Sequence, residues 1–318
     1  MTLQSMECKF EFYFLSKNYI KHESIPVTET LDKSVRFIGS ITNIFKPLYY
    51  SKKLINNFFI SQECLKTKSL KNDIINRASY YPAFGLHSPI NKSFETLLYT
   101  YEYLIDILNI PITMIETHVC SEDRDLVNLL KNIKIPLILK INELSRDRYI
   151  HSFGESKYKG RNIVIFLNDL ESNKKREFIS TFIILNIEKN DLYSEVTIKP
   201  MSIIKYLNNF NNDLECYLYP PKLQELDKNT FFKFLDIFIV CILLFKCKIL
   251  PSNLNNKTRL FRKYIKQILL ISRDLNFSIE ELASFIVEYE RKYFREDSIN
   301  REVVINQLKI INNLILDV

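Results

Sequence analysis

Between positions 116 and 125 the chain carries Glu116, His118 and Cys120 at a spacing of two, followed by Asp123, Arg124 and Asp125. On an extended backbone side chains alternate, so a strand reaching that far would point the carboxylate, the imidazole and the thiol to one side. A carboxylate beside an imidazole suits proton transfer, because an imidazole exchanges its proton near neutral pH. Glu116 and His118 are therefore candidate catalytic residues, with Asp123 and Arg124 as candidate substrate contacts. Cys120 is a poorer nucleophile candidate, since residues that share a face need not touch. Acidic residues at the start of a following helix are also explained by the helix dipole alone.

A second cluster lies in residues 146–161, which hold Arg148, Tyr149, His151, Ser152, Lys157 and Lys159 together with Gly154 and Gly160. A loop of this composition can wrap an anion with guanidinium, hydroxyl and backbone donors. His151 is a third candidate catalytic group, and Arg148, Tyr149, Ser152 and Lys157 are candidate binding groups. Glu116, His118 and His151 suit zinc or iron chemically, but no ligand spacing specifies a metal and none is expected. In residues 257–273, Arg259, Lys263, Lys266 and Arg273 fall on one helical face opposite Leu260, Phe261, Ile265, Ile268 and Leu269. A charged solvent face explains that pattern, and a polyanion-binding surface is its functional counterpart.

The elements that must position these groups change character along the chain. Residues 9–15 and 35–50 are rich in aromatic and β-branched side chains and predict short strands. Residues 69–79 predict a short helix. In 91–108, Phe94, Leu97, Leu98, Tyr101, Leu104, Ile105 and Leu108 form a helical stripe that ends at Asn109 and Pro111. Strand, helix, strand, loop, strand follow over 112–119, 121–133, 136–141 and 163–167. This predicts an α/β fold, with a mixed or mostly parallel sheet and crossover helices. Beyond Pro220 and Pro221 only helices are predicted, over 230–248, 257–274, 279–295 and 301–316, with Ser278 and Glu281 forming a capping-box signature. The expected division is an α/β domain over 1–221 and a helical domain over 222–318.

Composition narrows the function classes. The 318 residues include only four glycines, which removes P-loops, dinucleotide fingerprints and nucleophile elbows. The same scarcity argues against class II aminoacyl-tRNA synthetase chemistry, whose third motif is glycine-rich. The 44 basic and 37 acidic residues give a net charge of +7 spread along the chain, so nucleic acid is permitted but not indicated. Six scattered cysteines form no Cys-x-x-Cys pair. Glu7 and Glu11 stand where a signal peptide would carry basic residues, and Lys233, Asp236, Lys246 and Lys248 interrupt the apolar run 231–250. A soluble cytoplasmic protein without a membrane span is expected.

Several stretches in order resemble the WbqC-like family, found among surface-polysaccharide and natural-product biosynthesis functions. Lys52-Lys53-Leu54-Ile55 through Ser69-Leu70-Lys71 to Ala78-Ser79-Tyr80-Tyr81-Pro82-Ala83-Phe84 is similar to its extended segment, short helix and aromatic turn. Residues 91–115 resemble its long helix and strand, and Glu122-Asp123-Arg124-Asp125-Leu126 its next helix start. Tyr149-Ile150-His151-Ser152-Phe153-Gly154, with Tyr158, is similar to its tyrosine-leucine-serine-glycine loop. The family's opening histidine-glutamine-proline motif has no counterpart in residues 1–14. The resemblance covers about the first two-thirds of the chain and implies a transferase acting on a small-molecule or nucleotide-activated substrate; no cofactor is specified. The alternative is a non-enzymatic protein that binds RNA or a protein partner through its basic helical unit.

Overall fold

In the computed structural model, residues 1–30, 35–51, 55–67, 70, 77–152, 158–169, 174–187, 190–217, 219, 223 and 226–316 are described. Residues 9–15, predicted as a strand, lie in helix α1 (Leu3–Ser16). Met6, Phe10 and Phe14 recur every four residues and bury together, a spacing that outweighs the β propensity of the aromatics between them. The strands expected in 35–50 are likewise replaced, by helix α2 (Thr42–Ser51), whose Ile44, Phe45 and Tyr49 are buried. Of the helix expected over 69–79, most falls outside the described residues; residues 77–79 are not helical.

The described strands are β1 (Ile20–Lys21), β2 (Phe58–Leu65), β3 (Tyr80–Pro89), β4 (Ile115–Val119), β5 (Ile138–Ile141), β6 (Ile150–Ser152), β7 (Tyr158–Leu167), β8 (Glu177–Ile187) and β9 (Asn190–Ile198). They form one mixed sheet in the order β1-β2-β3-β9-β8-β7-β4-β5, with β6 also paired to β7. Parallel pairing is found at β1 with β2 and at β4 with β5. The β4–β5 pair is the expected crossover unit, connected by helix α4 (Arg124–Asn132). The pairs β3–β9, β9–β8, β8–β7, β7–β4 and β6–β7 are antiparallel. Helix α3 (Ser93–Glu102) continues as a wider π-helical turn, Tyr103–Ile107, and covers the expected stripe. Helix α5 (Pro200–Leu207) follows β9.

After residue 226 the order is helical, as the periodicity predicts: α6 (Lys228–Lys246), α7 (Asn256–Asp274), α8 (Ile279–Tyr289) and α9 (Arg301–Leu316), with a π-helical turn Glu290–Phe294 after α8. Ser278 and Glu281 form the capping box at the start of α8. Two of the charges inside the apolar run 231–250 have polar partners. Asp236 accepts from the backbone and hydroxyl of Ser79, both at 2.6 Å, and Lys246 lies 2.9 Å from Glu296. Among the described residues no helix is long and apolar enough to cross a membrane.

The chain divides into two compact units, one of Met1–Ile25, Ser40–Glu63 and Pro82–Asn209, the other of Pro26–Gly39, Cys64–Tyr81 and Phe210–Val318. The second unit thus begins twelve residues before the expected boundary at 222 and recruits two earlier segments. Residues 220–222, at that boundary, lie outside the described set.

Candidate functional site

The β4 register places Glu116 opposite Phe166 and His118 opposite Val164 on β7, so all four share one face of the sheet. Glu116 and His118 are both buried, and Oε1 of Glu116 is hydrogen-bonded to Nε2 of His118. Asn168 donates to Oε2 of Glu116 at 2.8 Å, and the Arg176 guanidinium lies 3.3 Å from Oε1. Burial pushes the Glu116 carboxyl up, but the bonds from Asn168 and His118 and the charge of Arg176 outweigh it and hold the group below its ordinary value. Burial pushes the His118 imidazole below its ordinary value despite its carboxylate partner. A neutral His118 therefore donates its Nε2 proton to Glu116 and keeps a lone pair on Nδ1, an enclosed atom without a hydrogen-bond partner among the described residues. The arrangement is a carboxylate-oriented imidazole with its basic nitrogen turned away from the carboxylate.

Aromatic rings continue this cluster along the same face. Phe166 packs edge-on against His118 at 4.8 Å between centroids, and Phe178 lies 5.8 Å from Phe166. Each ring carries a cation: Arg176 lies 5.0 Å from the centre of Phe166 and the Lys199 ammonium 3.5 Å from that of Phe178. Asn168, Arg176, Phe178 and Lys199 were not distinguished by sequence spacing. They come from the ends of strands separated in sequence and are gathered by register.

The charged residues after β4 are engaged differently. Asp123 is buried at the start of α4 but its side chain does not cap the helix; it lies 3.8 Å from Arg161 and 3.9 Å from Arg146. Burial raises its carboxyl above the ordinary value, against the opposing pull of the two arginines. Asp125 receives two bonds from Arg161, at 2.6 and 2.8 Å, and Arg161 also pairs with Asp191 at 2.5 Å. Cys120 is contacted by the Arg146 guanidinium. Arg124 is exposed and makes no ion pair among the described residues.

The expected anion loop over 146–161 is only partly a loop. A short 3-10 turn, Arg146–Tyr149, leads into β6, and residues from Tyr158 onward belong to β7. Gly160 is a packing residue there: a Cβ on it would collide with Ile183 and approach His151 Cβ to 3.2 Å. Tyr149 is buried, its hydroxyl accepting from Leu144 N at 3.1 Å. Arg148 is exposed, and its carbonyl, not its guanidinium, is held, by Asn162 at 3.4 Å. Ser152 is exposed, and Lys157 lies outside the described residues. His151 pairs with Gly160 and His118 with Val164, four positions apart on β7, so the two imidazoles share a face but are about 13 Å apart along the strand. Among the described residues no three His, Cys, Asp or Glu side chains converge as metal ligands.

The same face holds a second buried network that the sequence reading missed. His87 on β3 lies opposite Glu195 on β9, which lies opposite Ile183 and, one strand further, Asn162. Tyr49 is hydrogen-bonded to His87 and donates to Glu195 at 3.0 Å, Thr42 donates to Glu195 at 2.6 Å, and Phe45 stacks on His87. Burial, opposed by bonds from Thr42, Tyr49 and Thr197, pushes the Glu195 carboxyl up to about 7. Burial also lowers the His87 imidazole well below its ordinary value. Neighbouring polar residues, Ser88 beside His87 and Ser194 beside Glu195, hide the pair in the sequence, and the composition of α2, which supplies Thr42 and Tyr49, predicts strand rather than helix.

No family model matches the chain, nor does any curated protein. Among solved structures, similarity is found to a pyrrolysyl-tRNA synthetase from Desulfitobacterium hafniense, with a TM-score of 0.44 and 8% identity over 69% of this chain and 73% of that one. A histidyl-tRNA synthetase from S. aureus gives 0.42 and 7% over 84% of each chain. An aspartyl-tRNA synthetase from Entamoeba histolytica gives 0.42 and 8% over 68% of this chain and 56% of that one. At these scores the likeness carries no argument about chemistry.

Proposed function

We propose that this chain is a WbqC-like group-transfer protein of the cytoplasm, acting on an anionic small molecule such as a nucleotide-activated donor. The observation that carries the reading is the unpartnered Nδ1 of a neutral, carboxylate-oriented His118 beside two cation-bearing aromatic rings. Glu116 fixes the imidazole, and Nδ1 takes the proton from the acceptor's hydroxyl or amine as that atom bonds to the transferred group. The donor's leaving half departs with the bonding electrons, and Arg176 and Lys199 offset its negative charge. Phe166 and Phe178 offer stacking faces for a ring. Arg176 takes the anchoring part that spacing had suggested for Arg148. His118 is enclosed, so the reading requires Phe166 and Arg176 to shift when substrate enters.

The test adds a panel of nucleotide-activated sugars to the full chain and follows the imidazole signals by NMR, then measures transfer for any that bind. His118→Asn should lower kcat by about 10²- to 10⁴-fold with little change in KM, and Arg176→Lys should raise KM. A donor turned over equally well by His118→Asn, or a panel in which none moves the His118 signals, overturns the reading.

A further inference from the structure

Helix α7 carries Arg259, Arg262, Lys263 and Lys266, at successive spacings of three, one and three, in one stripe about 10 Å long. Its opposite face is fixed in the core by Phe261, Tyr264, Ile265 and Ile268, so the stripe is held in place. None of the four cations makes an ion pair among the described residues; Arg262 donates to the Asn253 side chain at 2.7 Å and Arg259 to the Asn253 carbonyl at 3.5 Å. Several cations elsewhere on the helical segment do have carboxylate partners, among them Lys309 with Glu280 at 2.9 Å and Arg291 with Asp297 at 2.8 Å. Arg259 with Lys263 and Arg262 with Lys266 are like charges at i, i+4, an arrangement that destabilises a helix by about 0.2–0.5 kcal/mol per pair. Held together on one face without a carboxylate partner among the described residues, these four make a local positive field.

Beneath the stripe lies a groove of about 350 Å³ whose floor is aliphatic, made by Ile311, Leu314 and Ile315 of α9. Leu314 is 45% exposed. The lining contains no aromatic ring, and sequence-tolerant binding of single-stranded nucleic acid depends on such rings for base stacking. A concave aliphatic floor with a cationic rim is instead the complement of a helix that presents an apolar ridge flanked by carboxylates.

We propose that the α7–α9 groove docks an acidic amphipathic helix of a partner protein. The surface is independent of the sheet-face chemistry, and its test uses different residues. The probe is a synthetic helical peptide with leucine at helical spacing and glutamate elsewhere, titrated into the full chain by fluorescence anisotropy. A peptide with lysine for glutamate, a single-stranded oligouridylate and phosphatidylglycerol vesicles are the comparisons. The glutamate peptide should bind at least tenfold more tightly than the lysine peptide. Lys263→Glu with Lys266→Glu should lose that binding at least tenfold, and so should Leu314→Asp. Both sets change exposed side chains, and circular dichroism checks the fold. Equal affinity for the two peptides, tighter binding of oligouridylate or vesicles, or indifference to Leu314→Asp overturns the proposal.

Discussion

A buried carboxylate beside an imidazole can hold its proton or release it, and the other neighbours decide. Glu116 is met by Asn168 and the Arg176 cation and stays ionised, whereas burial pushes Glu195 up to about 7 because only the neutral hydroxyls of Thr42, Tyr49 and Thr197 oppose it. Because Glu195 binds its proton more tightly folded than unfolded, its contribution is complete below the usual carboxyl value of 4.5 and is lost as pH rises through about 7. The shift corresponds to about 3 kcal/mol. His87 and His118, lowered by burial, act in the opposite sense, weakening the fold as pH drops below their ordinary value of 6.5. Glu195→Gln should therefore gain melting temperature relative to the native chain as pH rises from about 4.5 to 7. A difference that stays constant across that window would show that Glu195 is ionised in the fold.

At the scale of elements, the helices were legible because a 3.6-residue repeat survives any local composition, and the span of α9 agrees with its pattern to the residue. The strands were less so. In β8 residues 182–185 and in β9 residues 193–196 are buried one after another, on both faces, which erases the alternation that marks a half-exposed strand. The Glu116–His118 pair was legible for the opposite reason: two polar residues at strand spacing need only local geometry to meet. Asn168 and Arg176 complete the pair only through register between strands, which no local spacing encodes. Register also explains Gly160, where β6 and β8 side chains crowd the β7 backbone. Gly160→Ala is expected to lower stability by about 1–3 kcal/mol, read as a reduced denaturant midpoint, because Ile183 must move to admit the added methyl. An unchanged midpoint would mean that β8 yields at that point without cost.

At the scale of the molecule, the division at Phe210 leaves the second unit dependent on Pro26–Gly39 and Cys64–Tyr81. Ser79, within the latter, supplies two hydrogen bonds to the buried Asp236 of α6. A fragment of residues 210–318 should therefore fail to fold alone, giving poorly dispersed amide resonances, while Ser79→Ala in the full chain should cost about 1.5–3 kcal/mol. A well-dispersed spectrum from the fragment would mean that the early segments are ornaments on an autonomous helical domain. The interleaving also constrains vectorial synthesis. The early segments of this unit leave the ribosome more than a hundred residues before α6 emerges. During that interval Val27, Ile38 and Leu65, buried in the finished molecule, lack their final partners, which makes this the period when a holdase chaperone would matter most.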